Sequence, residues 1–132
     1  MTREEILALE AGRELDALVA KKVMGWHLVR WADETDGGRV WKGDAGEYRA
    51  PYSVDPNPKW RWSPSTDIAA AWEVVDALMD NGIGLPQIFH DGQLWVASVS
   101  DCTRKRSNMA SAPTAPLAIS RAALLAVMEV DA

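Results

Sequence analysis

The residues best suited to chemistry form a short segment in which cations alternate with indoles, Lys59-Trp60-Arg61-Trp62. An indole stacks on a nucleobase and a guanidinium binds a phosphate, so this composition suits a nucleotide-like ligand. Trp60 and Trp62 are expected to stack on a base or a ribose, while Arg61 holds a phosphate. The alternative is that both indoles fill the edge of the hydrophobic core, as tryptophan commonly does.

Two hydroxyl residues directly after this segment extend the candidate site. Ser65 and Thr66 fall in the first turn of a predicted helix, where unpaired backbone amides and the positive end of the helix dipole favour an anion. Asp67 opposes an anion at the same place. The two hydroxyls are therefore included among the candidate ligand-binding residues.

A second cluster of cations lies in a predicted loop after the sheet, at Arg104, Lys105 and Arg106. Such a cluster attracts phosphates, although a solvated loop explains it equally simply. It would strengthen the first site if the two segments met in the fold. Arg104, Lys105 and Arg106 are therefore predicted to hold phosphate together with Arg61.

Other kinds of chemistry have little support in the sequence. His27 and His90 lie far apart without a third donor at ligand spacing, and Cys102 is the single cysteine. No nucleophile elbow and no glycine-rich phosphate loop occurs. We therefore expect no metal site, no cofactor and no catalytic residues, and interpret the protein as a non-enzyme.

Length and charge restrict the partners of the protein. The 132 residues suit a single domain, 1–132, and the net charge of −5 argues against binding to duplex nucleic acid. The N-terminal segment is acidic and amphipathic, which is not the pattern of a signal peptide, and no apolar run reaches the length of a membrane span. We expect a protein of the bacterial host cytoplasm that does not bind membranes.

Three helices and a hairpin are needed to position these residues. A capping box at Thr2 predicts one helix to about Lys22, and alternating residues on both sides of Asp91-Gly92 predict a hairpin. A last helix is predicted from Leu117 to about Glu129, and the proline-containing stretch 43–64 is predicted to be a long loop. The central helix runs from Ser63 to Gly82, with a buried stripe expected at Ile68, Ala71, Trp72, Val75, Leu78 and Met79.

Three segments resemble the phage ABA-sandwich domain family, small phage and prophage proteins. They read TREEILALEAGRELDALVAKKVMGW from Thr2, YSVDPNPKWRWSPSTDIAAAWEVVDAL from Tyr52 and ASAPTAPLAISRAALLAVME from Ala110. The resemblance implies an α+β fold: a three-layer alpha/beta/alpha sandwich with a small antiparallel sheet and long N-terminal, central and C-terminal helices. It implies phage origin and supplies no activity. Ser120 stands where a cysteine is common in the last-helix motif, which makes a redox or metal role there less expected.

These observations favour a phage-encoded binding protein that works in counter-defence. The sharpest hypothesis is that it binds and sequesters a small nucleotide immune signal through its Trp- and Arg-containing segments, and that it forms a homo-oligomer. The alternative is a protein–protein interaction module that inhibits or regulates a host or phage protein through a Trp-rich surface.

Overall fold

The structure is a computed structural model, which describes residues 1–30, 39–43, 48–51, 61–101 and 106–128. It confirms the α+β class. The helices are α1 (Arg3–Leu7), α2 (Arg13–Lys22), α3 (Ile68–Asp80) and α4 (Ala115–Val127). The strands are β1 (His27–Arg30), β2 (Arg39–Lys42), β3 (Tyr48–Pro51), β4 (Arg61–Trp62), β5 (Leu85–His90), β6 (Trp95–Asp101) and β7 (Arg106–Ala112).

The N-terminal segment forms two helices instead of the single long helix predicted to Lys22. The capping box is present, because the Glu5 amide donates to Thr2 Oγ1 at 3.1 Å. Helix α1 nevertheless ends at Leu7, and Gly12 precedes α2 with a φ of 153°, a backbone conformation that other residues rarely adopt. The prediction of one continuous helix was wrong because the glycine allows the chain to turn here.

The strands form two sheets. One has the order β1-β2-β3-β4, with β3 and β4 parallel, and the other is the antiparallel sheet β5-β6-β7. The loop predicted over 43–64 therefore contains β3 and β4, short strands that form by pairing with each other and with β2. The hairpin at Asp91-Gly92 is confirmed: Asp91 Oδ1 accepts from the Gln93 and Leu94 amides, each at 2.8 Å.

The main core lies between α4 and the sheet β5-β6-β7. Helix α4 packs on β6 and β7, α3 packs on α4 and β5, and α1 and α2 pack on α4. The small side chains of Ala97, Ala110 and Ala122 are buried and let the helix approach the sheet closely. Arg121 fastens the N-terminal segment to this core, because its Nε and Nη2 donate to Leu9 O at 2.8 and 2.6 Å while Nη1 donates to Ser111 O at 3.2 Å.

The opposite face of the sheet β5-β6-β7 carries exposed apolar side chains at Leu85, Phe89 and Met109. In the described part of the chain, the helices named above pack on the core face of this sheet. The predicted arrangement of a sheet between two helical layers therefore stays a prediction.

Helix α3 begins later than predicted and buries a different side. Asp67 is its N-cap and accepts from the Ala69 amide at 3.3 Å, while Ser63 to Thr66 form a turn before it. The expected stripe was partly wrong, since Ile68, Trp72 and Met79 are exposed. Packing against α4 and β5 selects another face, made of Ala70, Ala71, Val74, Val75 and Leu78.

Candidate functional site

A cleft of about 250 Å³ lies between α2 and the sheet β1-β2-β3-β4. Five residues of α2 contribute to it at helical spacing, so one face of that helix forms a wall. The opposite wall comes from paired positions of β1 and β2, Leu28 and Trp41, and from Trp62 at the end of β4. The lining residues are Arg13, Glu14, Asp16, Ala17, Lys21, Leu28, Trp41 and Trp62.

Buried tryptophans form the floor of the cleft. Trp41 is 4% exposed and Trp62 is 1% exposed. The Trp62 ring packs against Trp26 with ring centroids 4.7 Å apart and planes tilted by 56°, and its Nε1 donates to Glu73 Oε2 at 2.9 Å. This indole is held by packing and a charge-assisted hydrogen bond, so its position is fixed before any ligand arrives.

Asp16 is a buried carboxylate that joins α2 to the turn preceding α3. Its Oδ2 accepts from Ser63 Oγ at 2.7 Å, and its Oδ1 accepts from the Ser65 amide at 2.9 Å. Burial raises the pKa of Asp16 above its ordinary value, and the hydrogen bonds from Ser63 and Ser65 oppose this shift. The Ser65 hydroxyl also accepts from the Gly12 amide at 3.0 Å, which completes the junction.

The mouth of the cleft is cationic. Arg13 and Lys21 are exposed on α2, and within the described residues neither side chain has an ion pair or a hydrogen bond. Glu14 lies on the same wall and partly offsets their charge. An anionic group at the mouth would meet two cations, whereas the apolar part of the same ligand would contact Leu28 and Ala17.

The structure brings only part of the predicted site to this cleft. Trp62 lies on its floor, and Ser65 stands next to it through Asp16. Both are 1% exposed, so Trp62 has no open stacking face and the Ser65 hydroxyl is occupied by Gly12. The alternative in which this indole fills the core describes its packing better. Thr66 is exposed, and its Oγ1 lies 2.7 Å from Ser63 Oγ.

The remaining predicted residues are only partly within the structure. Trp60, Arg104 and Lys105 lie outside the described residues. Arg61 and Arg106 are described by their backbone, which opens β4 and β7 in different sheets. Their roles, and the meeting of the two basic segments, stay predictions.

Sequence reasoning missed Arg13, Lys21 and Trp41. Neither cation was predicted as a site residue, although Arg13, Ala17 and Lys21 recur every four residues and so share one face. This spacing is a signal in the sequence itself. The spacing alone does not show that this face of the helix lines a cleft, because the opposite wall comes from β1, β2 and β4, which are remote in sequence.

A metal site and a membrane-spanning helix are both absent from the described residues. No group of three or more His, Cys, Asp or Glu side chains there is placed to hold a metal ion. No helix in that part of the chain is long and apolar enough to cross a bilayer.

The structure is that of a small α+β protein with a cleft between α2 and the sheet β1-β2-β3-β4, and comparison with known proteins places it in a family. The model of the phage ABA sandwich domain matches residues 17–124, so the chain belongs to the phage ABA sandwich domain family. Among solved structures, it is similar to a phage protein from Bacillus cereus ATCC 14579, with a TM-score of 0.57, 23% identity and 90% of each chain covered. At that identity the likeness concerns the fold alone. No curated protein matches the chain.

Proposed function

We propose that this phage-family protein is a non-enzymatic binding protein that captures a small nucleotide-like ligand in the cleft between α2 and the sheet β1-β2-β3-β4. One observation carries the proposal: Arg13 and Lys21 stand without partners, among the described residues, at the mouth of a cleft floored by indoles. A phosphate would bind between these cations. A base or ribose would enter the apolar part.

The size of the cleft limits what it can enclose. Its volume of about 250 Å³ is just below the roughly 300 Å³ at which ordinary ligand pockets begin. It therefore suits one nucleoside, with the phosphates left at the mouth. Trp60, Arg61, Arg104, Lys105 and Arg106 remain in the proposal as further contacts for the part of the ligand that projects from the cleft.

The lack of catalytic chemistry in the cleft supports a binding role. The described residues that line it include no serine, cysteine or histidine, and both Asp16 oxygens already accept hydrogen bonds from the protein. The bound nucleotide would be retained unchanged. Together with membership of a phage family, this favours the sequestering of a nucleotide immune signal in the host cytoplasm.

Calorimetry tests the cleft directly. The wild-type protein is titrated with cyclic dinucleotides, cyclic trinucleotides and ADP-ribose derivatives, and we expect heat with at least one of them. For that ligand, Lys21→Gln should weaken binding about tenfold, a change of about 1.4 kcal/mol. Lys22→Gln is the matched control, because it removes the same charge from the neighbouring, exposed position outside the cleft.

Two results would contradict the proposal. The absence of heat with every ligand would exclude these nucleotides. Equal weakening by Lys21→Gln and Lys22→Gln would mean that the ligand responds to the charge of the protein as a whole and does not occupy this cleft.

A homo-oligomer is also part of the proposal. The outer face of the sheet β5-β6-β7 carries exposed side chains at Leu85, Gln87, Phe89, Met109 and Ser111, none of which is ionisable, while Val96 and Ser98 of the middle strand are buried there. A second copy of a chain with net charge −5 would meet the least repulsion on such a face. Analytical sedimentation that shows only a monomer at every protein concentration would contradict the homo-oligomer.

A further inference from the structure

The outward side of α3 carries three large apolar side chains that the fold leaves uncovered. Ile68, Trp72 and Met79 are 50%, 52% and 47% exposed, and they are called the α3 stripe below. At 100° per residue, the three positions fall within about 40° of one another around the helix. They therefore lie on one side of α3.

The α3 stripe borders a row of carboxylates. Asp76 and Asp80 are exposed and lie one turn apart, on the side of the stripe away from the core. The exposed Asp67 caps the same helix, and no lysine or arginine occurs between Ile68 and Asp80. The surface thus combines an apolar line with negative charge that no cation on the helix offsets.

This combination selects the class of occupant. The carboxylates repel the anionic headgroups of a membrane and the phosphates of a nucleic acid. They also repel the same helix on a second copy of the chain. A partner that covers the apolar line and neutralises the row must be apolar along one side and cationic beside it. A basic amphipathic helix has that pattern, with its anchors one turn apart.

We infer that the α3 stripe is a docking surface for a basic amphipathic segment of another protein, with Trp72 as the central anchor. Tryptophan is the residue most enriched at such anchors, because it contributes a large contact area with only two side-chain torsions. The stripe is also held rigidly. Ala71, Val74 and Leu78 fix the back of α3 in the core, so docking would require little ordering of this protein.

This surface is separate from the cleft and does not depend on the function proposed for it. The stripe and the residues that line the cleft have no member in common. The protein could therefore hold a nucleotide and a protein partner at once, and each binding event can be abolished without the other.

The test uses a defined probe, a 14-residue amphipathic helical peptide built from leucine and lysine, with a peptide of leucine and glutamate in the same pattern as its counterpart. Calorimetry should detect binding of the leucine–lysine peptide only. Trp72→Ala should weaken it at least tenfold, whereas Phe89→Ala, which removes an exposed aromatic side chain from β5, should leave it unchanged. Because Trp72 is exposed, the thermal unfolding of the variant should match that of the wild type.

Charge is tested by a second matched pair. Asp76→Asn combined with Asp80→Asn should weaken binding of the leucine–lysine peptide severalfold. Glu4→Gln combined with Glu5→Gln changes the net charge equally on exposed α1 and should have less effect.

Equal effects of the two double variants, equal binding of both peptides, or no binding of either peptide would overturn the inference. So would a wild-type dimer that Trp72→Ala converts to a monomer, since a second copy would then cover the stripe. Unchanged nucleotide binding by Trp72→Ala would separate this result from any failure at the cleft.

Discussion

The two sides of α4 are built by different means. On the side of the sheet β5-β6-β7, small apolar residues such as Ala97, Ala110 and Ala122 allow close contact, and little space remains. On the side of α2 and the other sheet, three indoles and the Asp16 carboxylate are buried, and a cleft remains between them. Close apolar packing gives stability, whereas large rings joined by hydrogen bonds give a rigid cavity wall. We expect stability to depend most on the first region and binding on the second.

The largest effect is expected in the apolar core. Leu124 is fully buried in α4, so Leu124→Ala removes a side chain that the surrounding core cannot replace. We expect the free energy of unfolding to fall by about 2–5 kcal/mol, measured by urea denaturation. Leu85→Ala is the control, because Leu85 is 59% exposed and its loss should change stability by no more than about 0.5 kcal/mol. Similar losses in both variants would contradict the conclusion that stability depends on this close-packed core.

A smaller effect is expected at the buried carboxylate. Asp16→Ala leaves Ser63 Oγ and the Ser65 amide without their acceptor, and an unpaired buried group costs about 1–3 kcal/mol. The same urea measurement should show this loss. An unchanged midpoint would mean that water takes the place of the carboxylate and that the junction between α2 and the turn before α3 is loose.

The same residue predicts a pH dependence. The pKa of Asp16 is raised in the folded state from an ordinary value of 3.8, chiefly by burial, so the folded protein binds this proton more tightly than the unfolded chain does. Its contribution to stability is complete below 3.8 and is lost as the pH rises through the raised pKa. Relative to Asp16→Asn, the wild type should therefore lose stability as the pH rises above 3.8 and through the raised pKa. A constant difference would contradict the raised pKa.

The smallest effect contrasts two buried hydroxyl groups, one within α4 and one at the turn before α3. Among the described buried side chains, Ser120 Oγ in α4 has no hydrogen-bond partner, whereas Ser63 Oγ donates to Asp16. Ser120→Ala should therefore stabilise the protein by about 1 kcal/mol, and Ser63→Ala should destabilise it by a similar amount. Thermal unfolding of the two variants measures both. A loss of stability in Ser120→Ala would mean that this hydroxyl is paired in solution.

The sequence predicted the elements whose signals are local. The hairpin at Asp91-Gly92 and the existence of α3 and α4 follow from neighbouring residues alone, and all three are present. The broken N-terminal helix was not predicted, because the Gly12 amide is held by Ser65, a residue 53 positions away. The buried side of α3 was misassigned for a similar reason. Both of its sides are apolar, and the contact with α4 decides between them.

The candidate site was predicted less completely than the fold. Trp62 was identified, but its burial depends on Trp26 and Glu73, which are remote in sequence. Asp16 was not predicted as a site residue, since a carboxylate is rarely buried unless it has partners, and its partners come from the turn before α3. In the sequence alone, charged residues that line a cleft cannot be distinguished from ordinary surface charges, because the opposite wall of the cleft is made by distant segments.

The hydrogen bonds of Arg121 have a consequence for the order of folding. The guanidinium joins Leu9 to Ser111, and α1 and α2 pack on α4, so segments made early are held by a segment made much later. During synthesis, α1 and α2 lack their packing partner until α4 has been made, and isolated helices of their length are not stable in water. Contacts of such long sequence separation also slow folding. A chain interrupted before Arg121 would therefore lack its fastening and present its first helices to proteases.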